Sequence, residues 1–191
     1  MTPLLSIVIP TYGRQKLLQR AVGSALQSAP DGQVEVIVVP NGADRAWMKT
    51  LGIFSTDTRV KVFPIQTQHA SVARNHGISL AVGKYIRLLD DDDFLLDGAL
   101  DQYYLIDQAG ADICSGFLLM SDGDDQVYRT WKPSNETQDF VVATCSRRRI
   151  CQVTAHLFKR EFIHKIPWDT SLPFSQDICW FLDIAATDEI K

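Results

Sequence analysis

Tyr85-Ile86-Arg87-Leu88-Leu89-Asp90-Asp91-Asp92-Asp93 is the stretch on which the reading of this chain turns. A short apolar run that ends in four consecutive carboxylates reads as a strand delivering negative charge to the mouth of a sheet. Two neighbouring carboxylates about 4 Å apart repel by roughly 1 kcal/mol even in bulk water, and by more where water is excluded. Full solvation, a proton or a divalent cation must offset that repulsion. Hard cations such as magnesium take carboxylate oxygens and commonly share them with substrate phosphates. The plainer reading is a solvated acidic turn that caps the next helix, and the tetrad alone leaves both open.

Working outward, the first half of the chain alternates short β-branched runs with helical patterns. Ser6-Ile7-Val8-Ile9 reads as a strand, after which Leu17, Leu18, Ala21, Val22, Ala25 and Leu26 recur at helical spacing. Val34-Glu35-Val36-Ile37-Val38-Val39 is a more continuous apolar run, as expected for a strand covered on both faces. Val60-Lys61-Val62-Phe63 is a third, and Ser71 is the expected N-cap of a helix through Ala81. Such alternation implies an α/β fold with a mostly parallel, Rossmann-like sheet and helices on both faces. Ligands of such sheets sit beyond the carboxyl ends of the strands. Three of those ends, Pro10-Thr11-Tyr12-Gly13, Pro40-Asn41-Gly42 and the Asp tetrad, are expected to converge on one crevice.

Beyond the tetrad the pattern changes. A helix from Gly98 to about Ala109 precedes Ile113 to Met120, a turn over 121–125, and Val127 to Trp131, which together suggest a small antiparallel part. Residues 133–150 read as loop, and helical stretches are expected at His156 to Lys165 and Gln176 to Ala186. The 191 residues fit a single domain whose character changes between 1–97 and 98–191. Hydrophobic content of 46% and charged content of 22% suit a globular protein. A net charge of -4 argues against nucleic-acid binding, and Arg147-Arg148-Arg149 reads as a solvated loop rather than a phosphate clamp. No apolar stretch approaches a membrane span and no signal peptide is evident, so the expected location is the cytoplasm. Cys114, Cys145, Cys151 and Cys179 form no zinc-spaced cluster and are expected to be reduced and mostly buried.

In order, these segments resemble family 2 glycosyltransferases of the GT-A, nucleotide-diphosphosugar transferase fold. The similar blocks are Ser6-Ile7-Val8-Ile9-Pro10-Thr11-Tyr12-Gly13-Arg14, Val36-Ile37-Val38-Val39-Pro40-Asn41-Gly42, Ala73-Arg74-Asn75-His76-Gly77-Ile78 with the run to Ile86, Leu89 to Asp93, and Ser175-Gln176-Asp177-Ile178-Cys179-Trp180. A lone Asp-x-Asp is a weak signal, whereas five blocks in sequence are specific.

The resemblance implies a hexosyltransferase that uses a divalent metal, Mg2+ or Mn2+, and a nucleoside-diphosphate sugar, UDP or dTDP favoured. The acceptor would be a saccharide or a lipid-linked saccharide in cell-surface polysaccharide synthesis, with the membrane met only through that acceptor. Asp92 would ligate the metal on the diphosphate, and Asp90 would lie near the ribose and the metal. Asp91 is counted with Asp90 on the nucleotide side although its own side chain is expected to point away, and Asp93 is expected to cap the next helix rather than ligate the metal through water. Asp177 would be the general base of an inverting displacement, taking the proton of the acceptor hydroxyl; as a first-turn helix acid it also suits the macrodipole. Arg74 would contact the nucleotide or its phosphates, or else form a surface salt bridge. Tyr12, beside Pro10, would stack on the base or simply pack in its loop, and His76 is expected to be structural.

Three departures from the family pattern stand out. Pro40-Asn41 replaces a pair of acids; Asn41 can accept through its amide oxygen but also donates, and Asn41-Gly42 alternatively just supplies a tight bend. Gln176 stands where a second acid is common. Relatives often continue past the acceptor helix and add a histidine ligand; few residues follow Ala186 here, and His156 and His164 precede the base. Two rival readings therefore remain: a non-catalytic GT-A-like module that binds nucleotide or carbohydrate, and a nucleotidyltransferase, which the lack of a glycine-rich basic loop after Tyr12 disfavours.

Overall fold

A computed structural model describes residues 3–29, 33–133, 152–187 and 190. Most of the stretch expected as polar loop, the Arg147–Arg149 run, Cys145 and Cys151 lie outside the described residues, as do Asp188, Glu189 and Lys191. Strands β1 (Leu5–Thr11), β2 (Val34–Pro40), β3 (Val60–Val62) and β4 (Tyr85–Leu88) form the parallel part of a six-stranded sheet. Helices α1 (Gln15–Gln27), α2 (Trp47–Leu51) and α3 (Ala70–Leu80) connect them. After β4 come α4 (Asp101–Ala109), β5 (Ile113–Ser115), the antiparallel pair β6 (Leu118–Ser121) and β7 (Val127–Trp131), β8 (His156–Lys159), the short α5 (Arg160–Ile163) and α6 (Gln176–Ala185).

Side chains of β1 and β2 are buried along their whole length because both faces are covered. The two-residue period of a strand divides them. Ile7, Ile9, Val36 and Val38 pack with Leu18, Val22 and Ala25 of α1. Val8, Ile37 and Val39 face the other way, into a core shared with Ala73 and Ile78 of α3 and with Trp180 and Phe181 of α6. Gly77 lets α3 lie this close, since a Cβ there would stand 2.2 Å from Val8 Cγ1.

The sheet order is β3-β2-β1-β4-β8-β5. From β1 the chain proceeds outward through β2 and β3, then returns to place β4 on the opposite side. The reversal between β1 and β4 is the switch point at which open sheets of this kind form their crevice. Thr11 ends β1 there, and Asp90 follows β4 within two residues.

Three sequence expectations need correction. His156–Lys159 is a strand, not the start of a helix: it inserts antiparallel between β4 and β5, with Phe158 facing Ile86 on one side and Ile113 on the other. His156, Leu157 and Phe158 are all fully buried, and only the backbone ladder of two neighbouring strands satisfies their peptide groups at that depth. The N-cap of α3 is His69 rather than Ser71, which lies buried inside the helix. Cys114 and Cys179 are free thiols, as expected, but half-buried rather than buried.

At the amino edge of the sheet, Glu35 ties three segments together. It accepts from Ser6 Oγ, from Lys61 Nζ at 2.7 Å and from the Val82 N–H at 2.8 Å. Burial alone would raise its pKa, but these three donors more than offset that and hold the carboxyl below its ordinary value. A lowered pKa stabilises the fold above the ordinary value of 4.5, and the contribution fades as pH falls through the folded-state value. We expect Glu35→Gln to cost about 1–3 kcal/mol at neutral pH. The gap to wild type should narrow on acidification in urea unfolding followed from neutral pH to well below 4.5.

Candidate active site

Each acid of the tetrad meets a different environment. Asp91 is turned inward onto the end of β1: its Oδ2 accepts from Thr11 Oγ1 at 2.7 Å and from the Tyr12 N–H at 3.3 Å, while Arg14 Nη1 stands 3.3 Å from Oδ1. Burial raises its pKa, and Thr11, Arg14 and Tyr12 partly counter that. Asp93 accepts from Thr154 Oγ1 at 2.7 Å, and its pKa is likewise raised by burial. The expectation that Asp93 caps a helix is corrected: its side chain reaches across to residues 153–155 instead, and no side-chain bond caps the turn that begins at Asp97. Asp92 is the most open, 44% exposed, with Arg14 Nη1 bonded to its Oδ2.

Asp90 and Asp177 meet through one guanidinium. Arg74 donates from Nη2 to Asp90 Oδ1 at 2.7 Å, and its Nη1 lies 3.6 Å from Asp177 Oδ1. Its side chain is only 7% exposed, so this is not a surface salt bridge. The guanidinium sits 4.4 Å over the Trp168 ring, which is stacked on Trp180 with centroids 4.3 Å apart. Asn75, the next residue along α3, holds the Trp168 backbone at both its N–H and its carbonyl. Arg74 therefore stands on a fixed aromatic platform, with a cation–π contact added to its ion pairs. Burial pushes the Asp177 carboxyl upward, Arg74 pulls it down and Asp90 raises it again. Asp177 lies in the first turn of α6, which begins after Ser175 at φ 56. Gln176 is bound to the Leu172 carbonyl.

A shallow cleft of about 230 Å3, open solvent included, is lined by Thr11, Tyr12, Arg14, Asn41, Asp44 and Trp47 among others, and meets the acids through Thr11 and Arg14. Tyr12 is 46% exposed. Asn41 is buried and donates Nδ2 to the Thr11 carbonyl at 3.0 Å, so its amide oxygen is the end left for a partner. Gly42 does take a positive φ of 91°, and a Cβ there would press on Gln68 and Tyr12. Pro10 is buried within β1 and reaches the cleft only through its neighbours. His76 packs edge-on against Phe63.

The structure thus gathers Tyr12, Asn41, Arg74, Asp90, Asp92 and Asp177 at the carboxyl edge of the sheet. Sequence reasoning missed Thr11, Arg14 and Thr154 as partners of the acids, and Trp168 as the ring beneath Arg74. Thr11 and Arg14 stood inside the first quoted block, whereas nothing local marks Thr154 or Trp168. Among the described residues no three His, Cys, Asp or Glu side chains surround a common point. A magnesium-type ion does not require that, since it is typically held by one or two carboxylates with phosphates and water filling the remainder. The half-exposed Asp92 fits such a partial donor set.

This order of strands and position of the acids define a GT-A architecture. The glycosyl transferase family 2 model matches residues 6–181, and the chain belongs to that family. It is 37% identical over 101 residues to a Campylobacter jejuni GalNAc(5)-diNAcBac-PP-undecaprenol beta-1,3-glucosyltransferase, covering 51% of this chain and 32% of that one. Staphylococcus aureus TarS 1-349 in complex with UDP-GlcNAc superposes with a TM-score of 0.76 at 16% identity, over 95% of this chain and 53% of that one. The mannosyltransferase PcManGT of Pyrobaculum calidifontis, in complex with GDP-Man and Mn2+, gives 0.70 at 15% identity, over 97% and 52%. The chain therefore spans about a third of the first relative's length and about half of each solved chain. Among the described residues no helix is long and apolar enough to cross a membrane.

Thr11→Val keeps the shape of the side chain and removes the hydroxyl that Asp91 depends on. The expected loss is roughly 1–3 kcal/mol in urea unfolding at neutral pH. It should shrink as acid protonates Asp91, because the hydroxyl favours the ionised form.

Proposed function

We propose that this chain transfers a hexose from a nucleoside-diphosphate sugar to a hydroxyl of a saccharide or lipid-linked saccharide acceptor, with inversion. The observation that carries the reading is Arg74, whose single guanidinium joins the donor-side Asp90 to Asp177 at the head of α6. The placement supports a donor lying along the carboxyl ends of β1, β2 and β4 and an acceptor approaching Asp177. Tyr12 would support the base, and the Asn41 amide oxygen would accept from the N3–H of uracil or thymine, which favours UDP or dTDP.

In the reaction the acceptor oxygen attacks the anomeric carbon as the bond to the diphosphate breaks, and Asp177 takes the hydroxyl proton. A divalent cation held by Asp92 would supply Lewis-acid stabilisation of the departing diphosphate. Arg74 keeps Asp177 oriented and partly offsets the burial that would otherwise favour its protonated form. Family membership and the undecaprenol-linked acceptor named for the Campylobacter relative support a role in cell-surface polysaccharide assembly. The chain would work in the cytoplasm and meet the membrane through its acceptor.

Calorimetry with UDP, dTDP, GDP and CDP, with and without manganese, tests the donor site. One nucleotide should bind in a metal-dependent manner, and Asp92→Asn should abolish that dependence; no binding of any nucleotide would overturn the reading. Asp177→Asn should leave nucleotide binding intact and lower kcat by about a hundredfold or more, a typical loss for a general base. Nucleotide binding with no turnover in wild type would favour a non-catalytic GT-A-like module that binds nucleotide or carbohydrate. The acid limb of kcat/KM should lie above 3.8, the ordinary value for an aspartate, since burial raises Asp177 and the base acts only when deprotonated.

A further inference from the structure

The two arginines at the site are held in different ways. Arg74 is buried, rests on Trp168 and is bonded to Asp90, so it is fixed in place. Arg14 is 52% exposed and bonds Asp92 Oδ2 with the same Nη1 that stands 3.3 Å from Asp91. Its backbone occupies the N-cap position of α1, and its side chain makes no capping bond. Gly13 precedes it at φ 74, and the side chain lines the cleft beside Tyr12 and Asn41.

Building on the donor reading above, we propose that Arg14 competes with the divalent cation for Asp92 and, once displaced, turns its guanidinium to the donor's diphosphate. Two cations crowded on one carboxylate repel each other. An exposed ion pair is weak, so a divalent ion arriving with a diphosphate displaces the arginine readily. Asp91, held by Thr11 and the Tyr12 N–H, is the anchor that keeps the displaced side chain at the mouth of the cleft. A guanidinium released beside the diphosphate suits it geometrically, because its planar fork pairs with two phosphate oxygens at once. The exchange couples two events: the cation frees the arginine, and the arginine then grips the anion that the cation brought. Arg14 is on this account a donor-binding residue, distinct from Arg74, which is buried and bonded to Asp90.

The signature is a pair of effects of opposite sign. Binding of manganese alone is read from the loss of the free-ion signal in electron paramagnetic resonance, and UDP binding at saturating manganese by calorimetry. Arg14→Gln should bind manganese alone about two- to fivefold more tightly, since its competitor is gone. The same variant should bind UDP roughly tenfold more weakly, having lost a charged donor to the diphosphate. Arg14→Lys, which keeps the charge without the fork, should behave like wild type toward manganese and fall between the two toward UDP. Unchanged or weaker manganese binding in Arg14→Gln would overturn the competition, and unchanged UDP binding would overturn the transfer to diphosphate. Weakening of both ligands would mark a merely structural loop residue and sink the proposal. Failure of wild type to bind any nucleotide would instead defeat the donor reading, while the manganese-only titration still decides whether Arg14 and the cation compete.

Discussion

Five carboxylates, Asp90 to Asp93 and Asp177, are drawn to one edge of a single sheet, and the need to offset their mutual repulsion governs the surrounding structure. Hydroxyls answer some of these charges and guanidinium groups the others. Asp91 is buried and Asp93 half-buried, and each takes a threonine hydroxyl, from Thr11 and Thr154 respectively. Asp90 shares the buried Arg74 with Asp177, and Asp92 stays open with the exposed Arg14. Burial, hydrogen bonds and neighbouring charges are the three influences that separate the behaviour of chemically identical acids. Here they sort one short run into two structural anchors, one ion-pair partner and one carboxylate left for solvent, arginine or a cation.

The acids also fasten the later part of the chain to the earlier part. Arg87, within β4, is fully buried and donates to the Thr154 carbonyl at 3.0 Å and to Gln102. Among the described residues it has no carboxylate partner, and burial lowers its pKa to about 10. The Thr154 backbone thus binds β4 while its side chain binds Asp93, so the segment 153–155 is tied to the acidic loop twice. On the other face of the sheet, Asn75 fixes Trp168, Trp168 supports Arg74, and Trp180 of α6 stacks behind. Asp177 is thereby placed relative to Asp90 by side chains from three separate segments. Precision of that kind suits a site whose reacting groups must meet within hydrogen-bond reach.

Several features were legible from residue order because they rest on local rules. The strands β1, β2 and β4 show as short apolar runs, and α1 shows as a helical stripe, since periodicity reports which side chains must be hidden. The crevice was legible too: parallel strands put their carboxyl ends on one edge, so Thr11, Asn41 and Asp90 had to be neighbours. His156 to Lys159 misled for the converse reason. Four residues that are almost wholly buried carry no period, and they give the same signal as a buried helix until the strands on either side are known.

Sequence by itself determined the α/β class, the edge on which the site lies and the identity of the acids, because each depends on strand direction and on residues adjacent in the chain. Only the tertiary structure decided which acid faces which partner. Arg74 and Asp177 are separated by about a hundred positions, and Trp168 and Thr154 sit in stretches with no pattern of their own. Their roles come from a strand inserted antiparallel beside β4 and from an aromatic stack beneath α3. Contacts of that range are set by packing and charge compensation in three dimensions, and no local spacing encodes them.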